Sequence, residues 1–243
     1  MPKKINDMPV ILNIETSTNV CSVALSSEGM VLCHFEDFEG RNHAALLSGY
    51  IKMCLDWAAD HEMKVEAVAV SLGPGSYTGL RIGLSEAKGL CFGLDIPLIG
   101  VNTLKLLSVA VMFSKNIGPD DYFVPMIDAR RMEVFTAVYD LALNEVMPNQ
   151  AMILDENSFA DLLESRKLHF MGNGADKASD LIKSQNAEFT LGIRPNAADM
   201  IALSEKAFRE NDFLDLAYST PNYIKKFHTT TPKKNVLGCQ PTK

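Results

Sequence analysis

Ser71-Leu72-Gly73-Pro74-Gly75-Ser76-Tyr77-Thr78-Gly79-Leu80-Arg81-Ile82-Gly83 follows an apolar run, Ala67 to Val70, and leads into a long apolar segment spaced by glycines. This pattern reads as a strand, a tight Gly-Pro-Gly turn and the start of a helix over Tyr77 to Leu94. Glycine permits positive φ and close backbone approach, proline fixes its own φ, and Ser76 is suited to cap the helix. The amides of such a helix start serve one of two ends: they hold an anion, or they pack against another part of the chain. Gly79 and Gly83 lie four apart, as do Gly89 and Gly93. Glycine in a helix costs about 1 kcal/mol relative to alanine, so four of them imply close packing or a protein interface.

Working outward, three β-like runs precede this segment, Pro9 to Ile14, Val20 to Leu25 and Met30 to Phe35, joined by short polar turns. Asn42 is placed to cap a helix to Asp60, in which His43, Leu46, Leu47, Tyr50, Ile51, Cys54 and Trp57 recur at three- and four-residue spacing. Strands are expected at Val65 to Leu72 and Ile96 to Val101, and a helix capped by Thr103 runs to Phe113. The second half begins again with strands, Tyr122 to Ile127, Val134 to Tyr139 and Ala151 to Leu154. A helix Ser158 to Ser165, a strand Leu168 to Met171 and a helix Gly174 to Lys183 come next. A last helix, Asn196 to Glu210, sets Ala198, Ile201, Ala202, Glu205 and Phe208 on one side. The reading is α/β: two related subdomains with mixed sheets and crossover helices, 1–114 and 115–227, then a polar, Thr- and Lys-rich tail, 228–243, expected to be disordered. No sequence repeat marks the duplication.

Composition bounds the function. With 47% apolar and 22% charged residues the 243-residue chain builds an ordinary packed core. A net charge of −7 opposes autonomous binding to a phosphate backbone. Five cysteines, Cys21, Cys33, Cys54, Cys91 and Cys239, with no CxxC, read as small core residues rather than a disulfide or zinc framework. The start of the chain, Met1 to Met8, is polar, and the apolar run after it is broken by Asn13 and Glu15, unlike a signal peptide. The most apolar window, Leu104 to Phe113, is far shorter than a membrane span. A cytoplasmic location is expected.

Two loops carry candidate chemistry. Glu15-Thr16-Ser17-Thr18-Asn19 places a carboxylate before hydroxyls in a hairpin, which suits either a phosphate loop or a plain turn. Gly73, Gly75 and Ser76 form the second candidate, which is neither a P-loop nor a dinucleotide fingerprint. Asp128-Ala129-Arg130-Arg131 is expected to be an ion-paired turn. The histidines have no metal-ligand spacing, since position 47, four after His43, is leucine. No nucleophile–base set or pair of catalytic carboxylates stands out, which excludes a peptidase reading.

Taken together, Ile11-Leu12-Asn13-Ile14-Glu15-Thr16-Ser17-Thr18, the Gly73 to Gly83 stretch and Asp128-Ala129-Arg130 resemble the TsaB family, also called YeaZ, with Pro221-Asn222-Tyr223 similar to a later family element. The resemblance implies an actin-like, Hsp70-like ATPase fold. It also implies a role in making threonylcarbamoyladenosine beside the anticodon of tRNAs that read ANN codons. That role is as a non-catalytic partner of the paralogue TsaD, joined by the ATPase TsaE, with a homodimer formed when alone and tRNA met only through the complex. It implies no cofactor on this chain, ATP and magnesium being used by the partners. In TsaD-like proteins the first long helix carries a His-x-x-x-His pair, broken here as His43 and Leu47. The family's usual Asp in the first loop is Glu15. Family members associate through the two N-terminal helices, so the resemblance marks His43, Leu46, Leu47, Tyr50, Ile51, Cys54, Tyr77, Leu80, Arg81, Leu84 and Lys88 as contacts, and Leu80→Glu as a change that abolishes association while sparing the fold. The alternative is a nucleotide-binding ATPase or kinase-like enzyme of the same fold, using Glu15, Thr16 and Ser17.

Overall fold

The computed structural model describes residues 9–40, 42–113 and 117–224; the tail reading for 228–243 and Cys239 lie outside them. The chain runs β1 (Ile11–Glu15), β2 (Cys21–Ser27), β3 (Met30–Asp37), α1 (His43–Asp60), β4 (Ala67–Gly73), α2 (Tyr77–Leu94), β5 (Leu98–Asn102) and α3 (Thr103–Met112). It continues β6 (Tyr122–Asp128), β7 (Glu133–Tyr139), β8 (Glu145–Ile153), α4 (Ala160–Leu163), β9 (Leu168–Met171), α5 (Ala175–Leu181), β10 (Ala187–Thr190), a 3₁₀ turn (Ala197–Met200) and α6 (Ile201–Glu210).

The two halves share one topology. The first sheet is ordered β3-β2-β1-β4-β5 and the second, read from its other edge, β8-β7-β6-β9-β10. In each, three strands form an antiparallel meander, and the first of them pairs parallel with the fourth, which pairs parallel with the fifth. The duplication invisible as a sequence repeat is therefore complete in the sheets, and the arrangement is the doubled α/β plan of the actin-like ATPase fold. The helices are not equal: α1 and α2 have 18 residues each, while their counterparts α4 and α5 have 4 and 7.

Each sheet is covered on both faces. Leu12, Ile14, Val23, Val68 and Val70 pack under α1 and α2, whereas Ile11, Ala67, Ala69, Ile99 and Val101 meet Met200 and Phe208 beside α6. In the second sheet Val124, Met126 and Phe170 pack against Leu163, Ala175 and Ala178, and Phe123, Ala137, Tyr139 and Met171 meet Leu104, Leu107 and Val111 of α3. The closing helices are thus exchanged: the helix after β5 covers the second sheet, and the helix after β10 covers the first. Alternating strand residues are apolar on both sides because both sides are buried.

Several local expectations are corrected. Asn42 occupies the N-cap of α1 without a side-chain capping bond. The cap of α3 is Asn102, whose Oδ1 accepts from Leu104 N at 2.8 Å and Lys105 N at 3.2 Å, rather than Thr103, which is the first helical residue. The helix expected from Ser158 is one turn, because Ser158 closes a turn on Asp155 and Phe159 takes a positive φ of 66°. The last helix opens as a 3₁₀ turn, and Ala202 is exposed while Ser204 is buried, so its inner stripe is Met200, Ile201, Ser204, Glu205 and Phe208. β8 is far longer than Ala151 to Leu154, and β10 escaped the sequence reading: both are edge strands with half-covered side chains, so neither carries clean alternation.

Candidate functional site

The two candidate loops lie against each other at the ends of β1 and β4. Ser76 N donates to Ser17 O at 2.6 Å, and Thr16 Oγ1 donates to Gly79 O at 2.8 Å. The contact depends on missing side chains. A Cβ on Gly75 would sit 2.2 Å from Ser17 O, on Gly79 2.1 Å from Thr16 O, and on Gly83 2.3 Å from Thr16 Oγ1. Gly73 has φ +104°, and the Gly73–Pro74 peptide is cis. Ser76 Oγ accepts from Gly79 N at 3.2 Å, closing the helix end as its position suggested. Of the two readings of this turn, packing accounts for the glycines: three of them make room for Thr16 and Ser17, and the Ser76 amide is spent inside the chain.

Glu15 and Thr16 are fully buried. The Glu15 carboxyl takes the Ser17 amide on Oε1. Burial raises its pKa to about 7, offset in part by bonds from Ser17 and Ser71. Beyond the clasp a cleft of 860 Å³ opens between the halves, lined by Ser17, Ser76, Thr78 and His43 on one wall and by Asp128, Arg130 and Asn173 on the other; Glu15 and Thr16 lie behind this lining. The turn at Asp128 is ion-paired, its partner being Lys177 at 2.6 Å rather than a neighbouring arginine, and Asp128 Oδ1 also accepts from Arg130 N at 2.6 Å. Among the described residues no three His, Cys, Asp or Glu side chains are grouped to hold a metal ion, and no helix is long and apolar enough to cross a membrane.

The expected partner contacts divide into three sets. Leu47, Ile51, Cys54, Leu80 and Leu84 are buried in the chain's own core, so they are corrected to core residues, and Leu80→Glu becomes a folding lesion. Tyr77, Arg81 and Lys88 meet this chain's own C-terminal segment or one another. Tyr77 stacks on Tyr223 at 4.7 Å, the Arg81 guanidinium lies 4.9 Å from the Tyr77 ring centre, and Lys88 Nζ donates to Ala217 O at 3.2 Å and Ser219 O at 2.8 Å. Tyr50 packs beside Phe35 and Leu46 is half-buried against the core. His43 Nε2 lies 3.0 Å from Thr18 O and 3.1 Å from Val20 O; only an N–H satisfies two carbonyls, so His43 fastens α1 to the β1–β2 loop.

What α1 and α2 leave open is a different stripe, Ala45, Gly49 and Met53 on one helix with Ser85, Gly89, Phe92 and Gly93 on the other. Among the described residues a Cβ on Gly49, Gly89 or Gly93 would meet nothing within 4 Å, and Phe92 is 82% exposed. Ser48 Oγ donates to Glu86 Oε1 at 2.7 Å and ties the two helices side by side. Periodicity missed this stripe because the buried and open sides of both helices contain apolar residues; the available signal was the glycines, which pack against none of the described residues at these three positions.

The doubled sheets, exchanged helices and cleft define a protein of the actin-like fold whose first-loop carboxyl is sealed behind a glycine clasp. A family model described as TsaD, tRNA N6-adenosine threonylcarbamoyltransferase, matches residues 37–237. The tRNA threonylcarbamoyladenosine biosynthesis protein TsaB of Escherichia coli K12 is 30% identical over 221 residues, 88% of this chain and 94% of its own. TsaB of Bacillus subtilis 168 is 30% identical over 226 residues, covering 88% and 93%. YeaZ from Pseudomonas aeruginosa superposes with a TM-score of 0.74 at 26% identity, covering 89% of this chain and all of that one. The chain belongs to the TsaB family.

Proposed function

We propose that this chain acts in the biosynthesis of threonylcarbamoyladenosine in tRNA as a partner-binding subunit without a catalytic centre of its own, docking on a TsaD-like paralogue through the open stripe of α1 and α2. The observation that carries the docking reading is the set of three solvent-facing helical glycines. Together they forgo about 3 kcal/mol of helix stability relative to alanine, and among the described residues nothing occupies the space they leave. Two helices from each subunit would meet as a four-helix bundle, the glycines admitting the partner backbone closely and Phe92 and Met53 supplying apolar anchors. In isolation the same stripe pairs with a second copy; a TsaE-like ATPase joins the complex, and tRNA is met through the partners, consistent with the −7 charge. Two features support the absence of a centre here: Leu47, at the place of the second histidine of a metal pair, is core, and the Glu15 carboxyl lies behind the cleft lining.

The test is sedimentation of this chain mixed with the TsaD-like protein from the same source. Wild type forms a saturable complex, and Phe92→Glu weakens it at least tenfold without changing the melting midpoint. Full-strength binding by Phe92→Glu refutes the assigned face. Magnesium-dependent binding of ATP by the isolated chain would instead favour the kinase-like reading.

A further inference from the structure

Cys33 on β3 and Cys54 on α1 are brought together across the core with their Sγ atoms 3.5 Å apart. Both are free thiols. The placement follows from the sheet: Cys33 pairs with Leu25 on β2, and Leu25 points into the same cluster as the inner side of α1, where Cys54 sits. Cys33 is half-buried on an edge strand, whereas Cys54 is fully buried. A role as small core residues suffices for Cys21 and Cys91, each without a thiol neighbour among the described contacts, but it does not account for two sulfurs meeting from different elements. A disulfide needs a separation of about 2.05 Å, so side-chain rotation and a small drift of α1 toward β3 would close the gap.

We propose that Cys33 and Cys54 form an oxidisable dithiol, a modification site at which a hydroperoxide converts the pair to a disulfide that staples the middle of α1 to the edge strand β3. The Cys33 thiol gives its proton to solvent, the thiolate attacks one peroxide oxygen, the O–O bond breaks, and the departing hydroxide takes up a proton from solvent to leave as one water, so that Cys33 becomes a sulfenic acid. Cys54 sulfur then attacks the Cys33 sulfur, the S–O bond breaks, and the departing hydroxide leaves as a second water with the Cys54 proton. Two thiols are oxidised and one hydrogen peroxide is reduced to two waters. Burial and the neighbouring Cys33 push the Cys54 thiol well above its usual range, so Cys54 is the resolving group and Cys33 the one that meets the oxidant. The bond closes a loop between residues 21 apart, which contains the whole connection from β3 to the cleft wall. Resting on the docking role proposed above, the same drift of α1 away from α2 spoils the spacing of the open stripe and weakens partner binding.

The experiment uses the full chain, reduced, exchanged out of reductant and treated with hydrogen peroxide. Combined cleavage after Lys, Arg and Glu is followed by mass analysis without reductant. The expected product is fragment 29–36 joined to fragment 53–62 with loss of two hydrogens, and a melting midpoint raised by several degrees that returns on adding dithiothreitol; Cys33→Ser shows neither. Recovery of Cys33 as sulfinic acid, or joined to Cys21 or to another chain, without the 33–54 link, overturns the proposal. In sedimentation with the TsaD-like partner, the oxidised chain binds at least threefold more weakly than peroxide-treated Cys33→Ser. Equal affinity with the link present overturns the regulatory half alone. Failure of the reduced wild type to bind at all refutes the docking reading and leaves the link standing.

Discussion

Gly79→Ala and Gly89→Ala place the same methyl group on the same helix ten residues apart, and the structure assigns them opposite signs. At Gly89 the new Cβ meets none of the described residues within 4 Å, so the change stabilises the helix by up to about 1 kcal/mol. At Gly79 it would sit 2.1 Å from Thr16 O, more than 1 Å inside ordinary contact, and that neighbour is backbone. Overpacking of this kind costs about 1–3 kcal/mol, and displacing Thr16 also strains its bond to Gly79 O, worth about 1 kcal/mol. Set against the helix gain, the net loss is about 2 kcal/mol. In a chain of this size 1 kcal/mol moves the midpoint by about 2–4 °C, so Gly79→Ala melts about 4–8 °C below wild type and Gly89→Ala about 2–4 °C above it. Differential scanning calorimetry of the three proteins is the assay. A Gly79→Ala protein melting at or above wild type would refute the argument that the glycines of the motif exist to admit the first loop.

Glu15 ties stability to pH. Its folded pKa, about 7, lies above the unfolded value of 4.5, so the native state holds the extra proton. The stability it contributes is full below pH 4.5 and is lost as pH rises through about 7, a swing of about 3 kcal/mol; Glu15→Gln flattens this dependence in denaturant titrations at pH 5 and pH 7.5, and parallel wild-type and variant curves would count against it. Tyr223→Ala removes the stack on Tyr77 and costs about 1 kcal/mol, read as faster proteolysis of the segment after Asp215 with the core midpoint nearly unchanged. Leu80→Glu buries a carboxylate at a fully enclosed site and abolishes soluble folded protein; a folded Leu80→Glu chain that merely fails to dock would restore the original face assignment.

The sheets were legible in the sequence because strands buried on both faces read as nearly continuous apolar runs, unbroken at Ala67 to Val70 and interrupted only by the buried Asn13 at Ile11 to Ile14. The boundaries of α2 were legible because Ser76 caps it and Asp95 ends it in a left-handed turn. The edge strands β8 and β10 were not, since half-covered strands carry mixed patterns. The site was half legible. The glycine motif announced a close approach, but only the folded backbone places Thr16 over Gly79 and leaves Gly89 open, because residues ten apart on a helix face different surroundings according to what lies across from them. The meeting of Cys33 and Cys54 had no local signal at all, as it depends on how α1 lies over the edge strand.

The most direct test of the central claim is an omission experiment. tRNA modification is reconstituted with the TsaD-like transferase, the TsaE-like ATPase, a threonylcarbamoyl-AMP-forming enzyme and unmodified tRNA from the same source, with and without this chain. The account predicts product only when the chain is present, none from the chain alone, and a loss with Phe92→Glu that follows its loss of docking. Product formed equally well without the chain would contradict it.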